Sequence, residues 1–491
     1  MTDRTKYRML EMIPGTMIWL TFTASIVLSF VAPITMIYFI LLFDLYWFVR
    51  IVYMVCYMIL AYVRFRRTSR LNWRSRAQAL PGFEKIHHVI FLPTFKEPLS
   101  VIRTTFEALV QSNYPTEKMI VVLCGEERDA QVVREHARVI QKEYGHRFQK
   151  LLFTLHPDGI PGEVAGKGSN LHFAGWRFKE YIDTELKIPY EHILVSSFDI
   201  DTNVHPEYFG YLTATFLSTP NRLHASYQPI PFFHNNIWEA PAIMRVAALG
   251  TTFWLMSEQL RPERLFTFSS HSMPFQALVD VGFWQNDIVT EDSRIFLQCL
   301  LHYDGDYRVV PLYLPVSMDA VVGDTWVQSL KNLYRQQRRW AWGTEHFPYL
   351  LWHYPDHPRL SFRRKFHYSF TLAEGMFSWA TAPILITLLG RLPLALVDEQ
   401  EKISVVVQNV PQLLEVLMNY ALVGLIVTGV LSFTILPRRP HTRWYQWIPM
   451  ALQWILTPIS MVFFGSLPAI EAQTRLMFGK YLGFFVTPKR R

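Results

Sequence analysis

Ile193-Leu194-Val195-Ser196-Ser197-Phe198-Asp199-Ile200-Asp201 reads as a short apolar strand that delivers two carboxylates at its end. On a strand, residues i and i+2 point the same way, so Asp199 and Asp201 are expected to approach one hard cation, Mg2+ or Mn2+, that also binds a diphosphate. A D-x-D triplet is common by chance; its position at a strand's carboxyl end favours the cation reading. Upstream lie further strand-like runs, His88-Val89-Ile90-Phe91-Leu92, Met119-Ile120-Val121-Val122-Leu123 and Leu151-Leu152-Phe153, with helical periodicity over 99–112 and 128–143 between them. This alternation predicts an α/β domain with a mostly parallel sheet over 85–322, whose ligands sit beyond the carboxyl ends of the strands. The sequence has no G-x-G-x-x-G, no Walker loop and no internal repeat.

Hydrophobic blocks flank this region. Of the 491 residues, 50% are hydrophobic and 15% aromatic, and the mean hydropathy is positive. Residues 16–63 are almost continuously apolar, about twice what one membrane span needs. Ala32-Pro33 is the natural break, giving spans at 14–31 and 34–63 within a 1–66 unit. Arg64, Arg66, Arg67, Arg70, Arg74 and Arg76 follow, a cluster that stays cytosolic. Two spans therefore place the N-terminus and the central region on the inside. In the 366–470 unit, 369–389 and 413–436 read as further spans. The last block, about 445–470, carries Pro449, Pro458 and Pro468 and is expected to be a broken or re-entrant hairpin, which keeps Lys489-Arg490-Arg491 inside. Glu374 lies within the third span, where it faces either a polar interior or the solvated interface. The apolar stretch after Arg4, Lys6 and Arg8 is too long for a cleaved signal peptide. The net charge of +8 is concentrated at the edges of apolar blocks, which points to lipid and topology and away from nucleic acid. Cys56, Cys124 and Cys299 have no metal-ligand spacing and suggest no disulfide framework.

Further polar groups leave the predicted strand ends. Thr94 and Glu97, in Pro93-Thr94-Phe95-Lys96-Glu97-Pro98, can hold a base or ribose or can simply make a turn. Glu126 can accept from a nucleobase imide or sit at a solvated helix start. Gly166-Lys167-Gly168-Ser169-Asn170 frames a lysine with glycines before a helix, a pattern that suits phosphate and also suits a surface loop. Thr290-Glu291-Asp292 precedes a helical run. A carboxylate there, Asp292 or Glu291, can be a general base or only a first-turn acid. Residues 326–352, within a 323–365 unit, read as an amphipathic helix at the membrane surface carrying Gln336-Gln337-Arg338-Arg339-Trp340. Arg339 can brace a leaving diphosphate and Trp340 can stack on a sugar face, or both can anchor to lipid.

In this order, the motifs resemble those of the family 2 inverting glycosyltransferases, most closely the catalytic subunit of bacterial cellulose synthase. The likeness covers about 85–350 and the 471–491 unit. There Phe484-Phe485-Val486-Thr487-Pro488-Lys489 resembles the F-x-V-T-x-K gating loop, and Gln336 to Trp340 resembles the Q-x-x-R-W signature. The resemblance implies a GT-A-type domain embedded between transmembrane helices. By position, Thr94, Glu97 and Glu126 would hold the uridine, Lys167 the diphosphate, and Asp199 and Asp201 the nucleotide and metal. Asp292 would be the base, Gln336 and Arg339 would hold diphosphate and acceptor, Trp340 would stack on the acceptor sugar, and Thr487 and Lys489 would close over the nucleotide. The chain departs from the pattern at Phe95-Lys96, where Tyr-Asn is usual, and at Glu126, where an Asp pair is typical. The second departure leaves UDP and GDP both open. Ser269-Ser270-His271-Ser272 replaces Phe-Cys-Gly-Ser.

The expected protein is an integral, multi-pass enzyme of a bacterial inner membrane, with catalytic domain and both termini cytosolic. It would be a processive inverting β-glycosyltransferase using a nucleotide-sugar donor and a glycan or lipid acceptor, with membrane lipid as a further partner. Four spans and a hairpin form a thin wall for a polymer channel, which suggests a homo-oligomer or an export partner. Its rivals are a non-processive enzyme adding one sugar to a lipid carrier, and a transport or scaffold protein with a degenerate transferase domain.

Overall fold

The computed structural model describes residues 2–398, 405–437, 445 and 447–485. Eight strands form one sheet: β1 (His87–Pro93), β2 (Met119–Glu126), β3 (Lys150–His156), β4 (Ile193–Ser197), β5 (Asn203–Val204), β6 (Ala225–Phe233), β7 (His271–Pro274) and β8 (Arg308–Met318), in the order β3-β2-β1-β4-β7-β6-β8-β5. The sheet is mixed. β1–β2, β2–β3, β1–β4 and β6–β8 pair in parallel. β4–β7, β6–β7 and β5–β8 pair antiparallel.

The first four strands lie where the apolar runs predict them, for a physical reason visible in the packing. Alternate residues of β1 enter different cores. Val89 and Phe91 pack with Leu171 and Phe178 of the helix Lys167–Tyr181 on one face. Ile90 and Leu92 pack with Val101, Ile102, Phe106 and Leu109 of the helix Leu99–Val110 on the other. A strand buried on both faces must be apolar at every position, so it reads as a continuous run. Each such side chain, fully buried, contributes roughly 1.5–3 kcal/mol.

β6 and β8 were not among the predicted strands. They carry Pro229 and Pro231, and Pro311 and Pro315, residues that argue against an interior strand because they cannot donate to the ladder. A register shift between Gln228 and Ile230 accommodates them, as a bulge does.

Among the described residues, five helical runs are long and apolar enough to cross a membrane: Asp3–Val31, Pro33–Thr68, Phe362–Leu396, Val407–Ile435 and Trp447–Met477. The first break falls at Ala32-Pro33, with Pro33 at a helix start, where its missing N–H costs nothing. The last run is a helix broken in type. A 3-10 turn occupies Gln453–Leu456 and a π turn Val462–Ser466, and Pro458 and Pro468 each sit in the first turn of the helical stretch that follows. Trp447 packs on Trp238 at 5.5 Å and on Phe433 at 5.4 Å. The run then reaches Trp379, whose carbonyl accepts from Ser466 Oγ at 3.1 Å, and turns back to Met376, whose carbonyl accepts from Gln473 Nε2 at 2.9 Å. Arg8 closes its end by donating to the carbonyls of Leu476 and Met477 at 3.0 and 2.9 Å.

Glu374 faces a polar interior. Arg50 pairs with it, Arg264 lies 3.4 Å away, and Tyr46 and Ser378 donate to it at 3.0 and 2.9 Å. Arg264 in turn lies 3.6 Å from Glu258. The charges are matched by partners, as an intramembrane carboxylate requires.

Candidate active site

The carboxyl ends of β1, β2 and β4 open into one cleft of about 320 Å³, lined by Thr94, Glu97, Glu126, Lys167, Asp199, Glu291, Asp292, Gln336, Arg339 and Trp340. That volume is ordinary for a small-molecule site.

At the end of β1, Thr94 Oγ donates to Glu97 at 2.9 Å, and the Phe95 N–H also donates to Glu97. Lys96 takes a left-handed φ of 63°, and its N–H donates to Asp129 at 2.8 Å. Glu126 ends β2 and is ion-paired with Arg128, whose guanidinium also covers the Phe95 ring at 4.4 Å. These groups form one interlocked rim, which motif reading treated as separate pieces.

Lys167 is the centre of the arrangement. It opens its helix, and its buried Nζ donates to Asp199 Oδ1 at 2.7 Å and to Asp292 Oδ1 and Oδ2 at 2.9 and 2.7 Å, with Ser269 Oγ at 3.4 Å. Glu291 Oε1 is 4.0 Å away. Burial works to lower the Lys167 pKa, but Asp199, Asp292 and Glu291 outweigh it, and the ammonium is held well above its ordinary value. Glu291 is pushed the other way for a carboxyl, upward, first by burial and then by the charge of Asp292.

Asp199 and Asp201 do not sit on the strand as expected. β4 ends at Ser197, and the two aspartates lie in the turn after it, where the Thr202 N–H donates to the Asp199 carbonyl at 2.9 Å. The i, i+2 argument therefore does not apply. The side chains engage different partners, Asp199 taking Lys167 and the fully buried Asp201 taking the Asp319 N–H at 2.8 Å. Among the described residues no three His, Cys, Asp or Glu side chains gather in a way that can hold a metal ion.

The opposite wall is the helix Trp326–Ala341, on which Gln336, Arg339 and Trp340 share one face by their i, i+3 and i, i+4 spacing. The predicted continuous helix over 326–352 breaks at a 3-10 turn, Trp342–Glu345, before resuming at His346–His353. Arg339 lies over the Phe484 ring at 4.9 Å and Arg335 over Phe485 at 5.2 Å, so the C-terminal segment enters the cleft. Gly166 permits this: a Cβ there would stand 2.5 Å from Phe484 Cγ. Thr487 and Lys489 lie outside the described residues.

The cleft also contains side chains that sequence motifs did not single out. Trp254, Glu258, Arg264, Phe268 and Asp319 line it, as does His346, and it extends to Gly375, Met376 and Trp379 on the membrane helix. Their sole sequence signal is proximity to other motifs, and only for His346.

Residues 194–467, more than half of the chain, match the family described as Glycosyl transferase family group 2. No curated protein sequence matches. Among solved structures, the chain is similar to a mannosyltransferase from Pyrobaculum calidifontis in complex with GDP-Man and Mn2+ (15% identity, 76% of this chain and 99% of that one, TM-score 0.39). It is also similar to S. aureus TarS 1–349 in complex with UDP-GlcNAc (13% identity, 72% of this chain and 93% of that one, TM-score 0.29).

Proposed function

Because the chain belongs to glycosyl transferase family group 2, we propose that this glycosyltransferase is a membrane-embedded, processive, inverting enzyme resembling cellulose synthase. It would transfer sugar from a nucleotide diphosphate donor, most simply a UDP-sugar, to a growing glycan. The observation that carries this reading is the course of the cleft. One cleft is lined at once by the Lys167–Asp199–Asp292 cluster, by Gln336, Arg339 and Trp340, and by Gly375 of the apolar helix Phe362–Ile384.

In this mechanism Asp292 takes the proton of the acceptor hydroxyl, and the oxygen attacks C1 of the donor sugar in line, inverting it as the diphosphate leaves. Lys167 and Arg339 stabilise the charge that grows on the diphosphate. Lys167 also pairs with Asp292. A diphosphate competes for that ammonium, so donor binding frees the base before the acceptor reacts. Trp340 supplies the platform for the acceptor ring. Thr94, Glu97 and the Glu126–Arg128 pair border the nucleoside.

Asp199, which lines the cleft and already takes the Lys167 ammonium as it would a cation, would hold Mg2+ or Mn2+, with the remaining ligands from diphosphate and water. Asp201 is fully buried and accepts from the Asp319 N–H, so it is not placed to share the ion. Bound there, the ion would add Lewis-acid neutralisation of the leaving group.

The catalytic domain (85–322), the 323–365 interface unit and both termini are assigned to the cytosolic face of a bacterial inner membrane. The flanking units are 1–66, 366–470 and 471–491. Supporting this, the Arg64–Arg76 cluster adjoins the domain, and the two ends of the last helical run lie by Trp238 and Arg8.

The test is purified protein in lipid nanodiscs with Mg2+ or Mn2+, given labelled UDP-glucose, UDP-N-acetylglucosamine and GDP-mannose, with the product sized. A ladder or polymer from one donor is expected. A single addition to lipid overturns processivity, and no transfer from any nucleotide sugar overturns the whole reading.

A further inference from the structure

Two consecutive side chains, Glu345 and the cleft-lining His346, are tied to the chain neighbours of Asp292. Two residues before it, Thr290 Oγ donates to the Glu345 carboxylate, whose other oxygen accepts from the Trp342 indole N–H at 2.9 Å. One residue after it, Ser293 Oγ lies 2.7 Å from His346 Nε2. The direction of that second bond is fixed by its neighbour. Arg294 Nε–H donates to His346 Nδ1 at 3.1 Å, so Nδ1 accepts, the ring proton is on Nε2, and Nε2 donates to Ser293. Ser293 Oγ then donates onward to the Thr290 carbonyl at 3.3 Å. Burial and the adjacent Arg294 push His346 well below its ordinary pKa, which keeps the ring neutral and able to accept. Arg294 is itself immobilised, donating to Gln285 at 2.9 Å and lying over the Tyr349 ring at 3.8 Å.

We propose that Glu345 and His346 are positioning residues that set Asp292 against the acceptor platform. The inference rests on the assignment of Asp292 as base and of Trp340 as platform. Glu345 ends the 3-10 turn Trp342–Glu345, which begins two residues after Trp340, and His346 opens the helix that follows. The spacing of base and platform is therefore held by a closed loop of hydrogen bonds, Thr290–Glu345 and Ser293–His346, rather than by the long chain path between them. Displacing a reacting group by about 1 Å costs on the order of 100-fold in rate, so this loop acts on kcat. Neither residue faces the nucleotide rim at Thr94, Glu97 and Glu126, so donor affinity does not depend on it.

The test uses the full chain in nanodiscs with whichever of the three donors supports turnover. His346→Phe, Ser293→Ala and Glu345→Ala should each lower kcat by roughly 10- to 100-fold while leaving donor KM unchanged. His346→Gln keeps an N–H donor toward Ser293 and should recover most of the rate. In the cycle of His346→Phe with Ser293→Ala, the second substitution should add little to the first, since both remove the same bond. The pH–rate profile should keep its shape in every variant. Normal kcat in both His346→Phe and Ser293→Ala overturns the proposal, as does a rise in donor KM at constant kcat. A His346→Gln variant as slow as His346→Phe also overturns it, because the ring would then be doing something a donor alone does not. Should His346→Phe fail to fold, Ser293→Ala decides by the same criteria. Asp292→Asn separates the two levels: if it turns over normally, the base assignment has failed, whereas an inactive Asp292→Asn beside normal Ser293→Ala and His346→Phe leaves the base in place and removes only this proposal.

Discussion

Asp292→Asn exchanges a charge for an amide of nearly the same volume at the point where Lys167 joins two carboxylates. Lys167 Nζ contacts both Asp292 oxygens, at 2.7 and 2.9 Å. The amide can accept at one of them only, so one charge-assisted hydrogen bond is lost, about 1.5–3 kcal/mol as a local effect. The ammonium keeps Asp199 at 2.7 Å and Ser269 at 3.4 Å, so the lysine stays paired and the domain should fold. Loss of the proton acceptor is the larger effect. A positioned general base contributes about 10²–10⁴ in rate, equal to roughly 2.7–5.4 kcal/mol of barrier at 1.36 kcal/mol per tenfold. The variant should therefore lose turnover by that factor in a single-turnover assay in nanodiscs. Isothermal titration with the nucleotide diphosphate should show affinity equal to or above wild type, since Lys167 is no longer drawn toward a full charge at position 292. Turnover within tenfold of wild type would refute the base assignment. Loss of nucleotide binding together with turnover would refute the claim that Asp199 alone can hold Lys167 in place.

Gly375 lines the cleft on the membrane helix, and a Cβ there would meet no atom within 4 Å. Gly375→Phe should fill the path without disturbing the fold, shortening the product while donor binding and thermal stability are kept; an unchanged product-length distribution would place the acceptor elsewhere. Acid should destabilise the catalytic domain. Burial pushes His88 down to about 3 and His234 down to about 4, and it also lowers His271. The unfolded chain takes up protons near about pH 6.5 that the folded chain refuses, so stability is present above that pH and is lost as pH falls toward these values. The unfolding temperature should drop as pH falls from about 6.5 toward about 4, and His88→Gln should make the drop shallower; an equal slope in the variant would remove His88 from the account.

Thr94, Glu126, Lys167 and Asp292 were legible because each sits at a strand end or helix start, places with a local signal. β1, β2 and β4 were legible because burial on both faces leaves a largely apolar run. β6 and β8 were not, since their prolines oppose a strand locally, and only pairing across a bulge makes the strand stable. Ala32-Pro33 marked a helix break correctly because proline acts on its own neighbour. Pro458 and Pro468 marked breaks in the last run: each falls in a first turn, where its missing N–H does no harm, next to a change of helix type.

The sequence by itself determined the family, the α/β alternation, the apolar helices and, of the charged side chains on the cleft, Glu97, Glu126, Lys167, Asp199, Glu291, Asp292 and Arg339, but not Glu258, Arg264 or Asp319. Only the tertiary structure decided how they act on one another. Lys167 meets Asp199 across 32 residues and Asp292 across 125. The two aspartates of the D-x-D triplet part company because the strand ends before them. Glu345 and His346 reach the neighbours of Asp292 with no local pattern to announce it. Periodicity and turn chemistry are fixed by residues a few positions apart and can be read along the chain. A hydrogen bond between distant segments exists only once packing has closed the loop between them, and that closure is a property of the whole fold.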